Sequence, residues 1–414
     1  MQTKLLSEIS LTIGSGLTPL RSNPKFWDNG TISWLKTEQL GEKYIYSTNE
    51  LISKNALEET SIKVFPTDSL SIAMYGEGKT RGNLSILKKP MTTNQACCNV
   101  VIDSNKANFE YVYYYLKTQY EALRSLSSGV RKNLNSSDIK NYPINLPDSL
   151  EEQESIAKVL KSLDDKIELN NKISTELEIM AKTLYDYWFV QFDFPDADGK
   201  PYKLSGGKMV YDEVLKREIP EGWKQSTLWD IANYYNGLAM QKYRSTGDDY
   251  LPVIKIREMN NGISPDTEKA SIDIPKAAIV DDGDLLFSWS ATLDVKIWSQ
   301  GKGALNQHIF KVTSDDYPQS FYYFELMNYL SHFKMMADLR KTTMGHITLE
   351  HLKQANIVLP PIELIEKLDE KLKPIFEHIL VLKKESNSLV KLRDWLLPML
   401  MNGCLLYTSP SPRD

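Results

Sequence analysis

One stretch of this chain is written twice. Thr67–Glu77 (TDSLSIAMYGE) is answered by Gly283–Leu293 (GDLLFSWSATL), and Asn94–Val100 (NQACCNV) by Asn306–Val312 (NQHIFKV). FEYVYYYLKTQY is answered by SFYYFELMNYL, and SSGVRKNLNSSDIKNYPINLP by TTMGHITLEHLKQANIVLP. Equivalent positions lie about 212 to 216 residues apart, far beyond the period of any solenoid, so the chain is a duplicated module.

Each copy ends in a long apolar stripe. Ile156, Leu160, Leu163, Ile167, Ile173, Leu177, Met180 and Leu184 recur at mostly three- and four-residue steps within Glu151–Phe189. Ile365, Leu368, Leu372, Ile375, Ile379, Leu382, Leu389, Leu392 and Leu396 do the same within Ile362–Met401. Both stretches follow a Leu-Pro corner, Leu146-Pro147 and Leu359-Pro360, where proline has no N–H to lose. A narrow stripe cannot be buried alone, so the two helices are expected to pack on each other. If a two-fold axis relates the modules, the helices run antiparallel with the globules at opposite ends, and a rod of about 40 residues spans roughly 60 Å.

Three details of the rods carry their own expectations. Asn170 falls on the first stripe, either as a buried polar group that fixes register or as an exposed position. Pro374 makes the second helix restart or kink, since an interior proline removes one hydrogen bond at about 3 kcal/mol. Trp188, Phe189, Phe192 and Phe194 crowd the exit of the first helix as junction packing, with part of the cluster available to dock a partner.

The globular parts read as mixed α/β. Residues 9–46 alternate β-favouring runs with Gly, Pro and Asn, further β-rich patches cover Ser69–Tyr75 and Asn99–Asp103, and a tyrosine-rich helix follows around Phe109–Leu126. The fold class is α+β: two globular α/β domains separated by two long antiparallel coiled-coil helices, a pseudo-two-fold internal repeat. The expected divisions are 1–147 and 195–360 for the globules, 148–194 for the central helix and 361–403 for the distal one.

Composition narrows the function classes. With 42% hydrophobic and 25% charged residues, disorder is not the default. No run of eighteen apolar residues exists, and MQTKLLSEIS lacks the build of a signal peptide, so no membrane is implied and the cytoplasm is the expected compartment. The three cysteines and five histidines form no ligand spacing for zinc, so no metal is expected. The net charge of −5 is unevenly spread: residues 1–147 are net basic, while the helix from Glu151 onward is net acidic. A globule facing phosphates beside an acidic rod fits that division.

Several runs, in order and twice over, resemble a known family. They include GSGLTPLRSNPKFWDNGTISWLKTEQL, EQESIAKVLKSLDDKIELNN, LYDYWFVQFDF, EIPEGWKQSTLWDIANYYNGLAMQKY, GDLLFSWSATL, NQHIFKV, TTMGHITLEHLKQANIVLPP and LRDWLLPMLMNG. Over nearly its full length the chain is similar to the specificity subunits of type I restriction-modification systems. The resemblance implies two target recognition domains, each reading one half of a split DNA sequence, with the helices setting the gap. It also implies a subunit without catalysis or cofactor of its own. Its partners would be double-stranded DNA, two adenine-methyltransferase subunits that use S-adenosylmethionine, and restriction/translocase subunits that need ATP and magnesium. The run 404–414 (CLLYTSPSPRD) departs from the family and resembles translated adapter sequence, so it is expected to be non-native, with the native ending after Gly403 missing.

Catalytic tools are lacking in the pattern. Asn23-Pro24-Lys25-Phe26 lacks the second proline of a methyltransferase motif, and Gly14-Ser15-Gly16 and Gly76-Glu77-Gly78 are incomplete nucleotide loops. DNA reading needs Lys, Arg and amide groups at loop tips. In the first globule the candidates are Lys79, Thr80, Arg81, Asn83, Thr93, Asn94, Gln95, Arg131, Lys132 and Asn133. In the second they are Arg244, Lys255, Arg257, Ser290, Thr292, Lys302, Asn306, Gln307, Arg340, Lys341, Thr342 and Thr343. The Asn-Gln pairs recur in both copies and so suit structure or phosphate better than specificity, whereas non-repeated residues suit base reading. The competing class is a non-catalytic protein-binding coiled-coil adaptor.

Overall fold

A computed structural model describes residues 1–403 other than 77, 79, 127–132, 246 and 340–345. The chain divides into two compact units, one formed by Met1–Asp165 with the chain from Val390, the other by Lys166–Leu389.

In the first unit a five-stranded sheet runs in the order Ser10–Ser15, Cys97–Ile102, Leu70–Ala73, Leu84–Leu87, Tyr44–Ile45. Beside it lies a three-stranded sheet in the order Glu50–Ile52, Ile32–Leu35, Thr92–Thr93. Leu70–Ala73 and Leu84–Leu87 are buried on both faces, and their serines, Ser71 and Ser85, are buried with the apolar residues beside them. The helix Phe109–Thr118 covers the sheet with Tyr111, Tyr113, Tyr114 and Tyr115, and Asn108 caps it by accepting the Tyr111 N–H at 2.9 Å.

The second unit repeats this plan. Its first sheet runs Asn233–Asn236, Ile309–Thr313, Leu285–Ser288, Asp294–Ile297, matching the first four strands of the five. Its second sheet runs Lys269–Ala270, Leu251–Ile254, Gly303–Leu305, Ile279–Val280. Leu251–Ile254 pairs parallel with Gly303–Leu305 just as Ile32–Leu35 pairs parallel with Thr92–Thr93. The copies differ at the edges: Tyr44–Ile45 extends the first sheet of the first unit, whereas Ile279–Val280 extends the second sheet of the second. Each globule is closed by its own ends, Gln2–Leu5 against Pro143–Leu146 and Lys224–Thr227 against Asn356–Leu359, both antiparallel.

The long helices span Leu150–Tyr185 and Ile362–Met401. Ser149 caps the first, its Oγ accepting the Glu152 N–H at 3.1 Å. Within each unit the two run antiparallel. In the first unit Ile156 and Leu160 share a core with Leu400 and Met401, and Asp164 pairs with Arg393 at 2.8 Å. In the second, Asn170 donates to Glu385 at 2.7 Å and Lys383 pairs with Glu178 at 2.7 Å. Asn170 is fully buried, and its Oδ1, with the buried hydroxyls of Ser174 and Ser386, finds no hydrogen-bond partner among the described residues. Such a polar layer weakens the pair by about 1 kcal/mol or more per unmet group and penalises registers that would set it against leucine. Pro374 lies inside one continuous helix, so neither a restart nor a break marks it.

The first helix leaves through a π turn at Asp186–Val190, and Phe192 takes a left-handed φ of 67°. Trp188, Phe189, Phe192 and Phe194 are all buried around Trp223. They form the junction core, which leaves no part of the cluster for the partner docking anticipated above.

Candidate nucleic-acid interface

The same corner is built twice where the two sheets of each globule meet. Leu17 N–H donates to Thr93 O at 2.9 Å, and Leu238 N–H donates to Leu305 O at 2.9 Å. Asn94 N–H reaches Leu35 O at 2.9 Å, and Asn306 N–H reaches Ile254 O at 3.1 Å. The chains approach so closely that a Cβ on Gly16 would lie 2.1 Å from Thr93 O, and one on Gly237 would lie 2.2 Å from Asn306 O. Glycine is required at both places. The recurring Asn-Gln pairs therefore sit in the frame that joins the sheets. Asn94 Oδ1 accepts the Ala96 N–H at 3.2 Å, and Asn306 is buried. Gln95 is exposed and accepts from the Thr18 hydroxyl, and Gln307 is half-buried beside His308.

Other candidates separate by where the fold sends them. Thr93 is buried and accepts from Asn99 Nδ2 at 2.7 Å, while Asn83 donates inward to Leu40 O at 3.0 Å. These two side chains are engaged in the frame of the first globule. Thr80, Arg81 and Asn133 are half-buried. Arg124, which the sequence reading did not single out, holds this loop by donating to Gly78 O at 3.0 Å and Arg81 O at 3.1 Å. In the second globule Ser290 is buried and bridges to His346, whereas Arg244, Thr292 and Lys302 are exposed. Lys255 pairs with Glu268. Arg257 pairs with Glu258 and Asp266, both at 2.7 Å. The Ser264 hydroxyl and the Arg257 guanidinium hold the Asp266 carboxyl down at about 2. The charge of Arg257 is thus largely answered inside the domain. Lys79, Arg131, Lys132, Arg340, Lys341, Thr342 and Thr343 lie outside the described residues.

Burial pushes the Cys97 and Cys98 thiols up to about 12, which keeps them protonated and inert. Among the described residues, no three His, Cys, Asp or Glu side chains converge as a metal site, and no helix is long and apolar enough to cross a membrane.

The hairpin that leaves the central sheet is where the copies diverge. In the first unit the chain between Leu70–Ala73 and Leu84–Leu87 is long and glycine-rich, with Gly76, Gly78 and Gly82 at positive φ. In the second, the link between Leu285–Ser288 and Asp294–Ile297 is short and carries Trp289. Sequence reasoning used both runs as markers of the repeat. The signal in them was the mismatch, a tryptophan in one copy and a methionine in the other.

Comparison with known proteins accords with this plan. The family model described as "Type I restriction modification DNA specificity domain" matches residues 1–179 and again 220–391. The MjaIX type I restriction enzyme specificity subunit of Methanocaldococcus jannaschii is 28% identical over 409 residues, covering 94% of this chain and 90% of that protein. The HindI specificity subunit of Haemophilus influenzae is 25% identical, covering 69% and 73%. The crystal structure of an S subunit from M. genitalium shares the fold with a TM-score of 0.59 at 15% identity, over 96% of this chain and 95% of that one. A duplicated sheet frame, two family matches that coincide with the duplication, and a pair of antiparallel helices converge on one conclusion: this chain belongs to the type I restriction-modification DNA specificity family, with one recognition domain for each half of a bipartite target.

Proposed function

We propose that this chain reads DNA for a methylating and restricting complex and performs no bond chemistry itself. The observation that carries the reading is one frame built twice with different loops mounted on it. A single domain would read one short sequence, and a symmetric pair would read a palindrome. Two unlike copies suit an asymmetric target in two parts.

The long helices serve as the spacer. Duplex DNA advances about 3.4 Å per base pair and a helical turn about 5.4 Å, so adding one turn to both helices shifts the preferred gap by about one or two base pairs. Selecting bound duplexes from a randomised pool with rod-length variants tests this, and an unchanged gap overturns it.

Catalysis belongs on the partners in this reading. Two adenine-methyltransferase subunits supply S-adenosylmethionine chemistry, restriction/translocase subunits use ATP and magnesium, and assembly takes place in the cytoplasm. The chain assayed alone should transfer no methyl group to duplex DNA, and should do so only when mixed with those subunits. Specific binding should weaken steeply as salt rises, because phosphate contacts release counterions.

A further inference from the structure

The short hairpin of the second unit is rigidly built. Ser288 Oγ donates to Thr292 O at 2.7 Å and accepts the Asp294 N–H at 2.9 Å, closing the turn from inside. Ala291 sits at φ 55°, a left-handed conformation that a residue with a Cβ adopts only where its surroundings impose it. Strain of this kind concentrates where a loop is held in shape for a ligand.

The turn presents Trp289, half-buried, with its Nε1 donating to Asn236 Oδ1 at 3.0 Å. Two imidazoles flank the indole, His308 with ring centroids 5.6 Å away and His346 at 6.2 Å. Both histidines and Asn236 are exposed. Gln307 Nε2 lies 3.3 Å from His308 Nε2, which brings a second amide to the rim.

Strand register identifies the matching places in the first unit. Ala73 pairs with Cys97 as Ser288 pairs with Ile309, Ser15 pairs with Cys98 as Asn236 pairs with Phe310, and Leu134 N–H reaches Met74 O as Ile347 N–H reaches Trp289 O. Trp289, His308 and Asn236 thus stand where the first unit has Met74, Ala96 and Ser15. One shared frame carries an aromatic and imidazole patch in one copy and, in the other, Met74, Ala96 and Ser15 with Asn133 in the place of His346.

We propose that Trp289, His308 and His346, with Asn236 beside them, are the base-reading patch of the second recognition domain. The proposal rests on the DNA-specificity function of the family and names the surface that carries it out. Its chemistry suits base edges: an imidazole offers both a donor and an acceptor nitrogen, an amide does the same, and the indole edge gives an apolar contact for a thymine methyl. These four side chains include no lysine or arginine, so base reading by them should leave the salt dependence of binding unchanged.

The test uses the full chain assembled with its methyltransferase subunits and duplexes selected from a randomised pool at fixed pH and salt. In His308→Ala and Trp289→Phe, discrimination at one or more positions of the second half-site should fall by about 5- to 100-fold. The first half-site should be unchanged, which also reports that the variant is folded. His308→Gln, which keeps a donor and an acceptor, should retain more of the preference or change which base is preferred. The slope of affinity against salt should stay as in the parent. Unaltered base preference in both half-sites overturns the proposal, and so does a uniform loss of affinity with a shallower salt slope, which marks phosphate contact. A parent complex that selects no two-part site overturns the family reading and this patch with it.

Discussion

The two units fasten the same sheet frame to the same kind of helix pair by different means. In the first, the attachment is a buried charge network. Asp164 accepts from Tyr114 Oη at 2.5 Å and from Arg393 at 2.8 Å, with Lys43 at 3.4 Å, and Lys161 pairs with Glu110 at 2.9 Å. In the second, rings do the work: Tyr185 packs on Phe324 with centroids 4.7 Å apart, and Phe376 meets Tyr323 at 5.4 Å and Phe324 at 5.7 Å. Polar contacts accompany the rings there, Tyr185 to Glu325 at 2.5 Å, Ser320 to Asp369 at 2.6 Å, and Lys384 to Asp282 and Asn387 to Ser299 O, both at 2.8 Å. Duplication preserved strand order because main-chain pairing demands it. The attachment was free to drift, since either a satisfied ion network or an aromatic wedge excludes water from the seam.

The largest expected effect separates these two solutions directly. Asp164→Ala leaves Arg393 and Lys43 without their buried partner and should cost about 3 to 5 kcal/mol in the first unit. Denaturant unfolding, with hydrogen exchange to locate the loss, measures it, and a loss below 1 kcal/mol would mean the network is decorative. Phe324→Ala should cost about 3 kcal/mol, confined to the second unit. An equal loss in both units would show that the attachments are coupled.

A smaller effect concerns pH. Burial raises the Glu325 carboxyl from its usual range to about 7, with the Tyr185 hydrogen bond pulling the other way. The folded state therefore holds a proton that the unfolded state has released. That contribution is fully present below about pH 4.5 and is lost as pH rises through about 7, an effect of about 3 kcal/mol in full, of which about 1 kcal/mol falls between pH 6 and pH 8. Unfolding midpoints of the second unit at pH 6 and pH 8 should differ in that direction, and Glu325→Gln should remove the difference. A slope of opposite sign would contradict the burial argument.

The smallest effect tests the helix pair. Asn170→Leu removes an unmet buried carbonyl and should stabilise the chain by about 1 kcal/mol while weakening the preference for one register. Denaturant midpoints would reveal the gain, and destabilisation would indicate that the Glu385 contact outweighs it.

Legibility in the sequence followed the physics of each feature. The long helices and the doubled plan were readable because stripe periodicity and recurrence are local facts, and the burial of Trp188, Phe189, Phe192 and Phe194 followed from their apolar bulk. Edge strands were not readable: Tyr44–Ile45 and Ile279–Val280 are short, and nothing in their residues says which sheet they extend. Candidate contacts blurred for a related reason. Thr93, Asn306 and Ser290 are polar enough for a loop tip, yet each is buried where sheets or turns meet. Arg257 and Lys255 looked like free cations because their acidic partners, Asp266 and Glu268, are brought back only by the fold.

The closing strands have a consequence for inheritance. Because each globule pairs its opening strand with its final one, the polypeptide enters and leaves it at neighbouring points, like the two ends of a drawstring. A foreign globule spliced between Lys224 and Leu359 meets its host at that single gathered seam. Such a splice is expected to replace one word of the recognised sequence while the other word stays as it was, which selection of bound duplexes from a randomised pool would read.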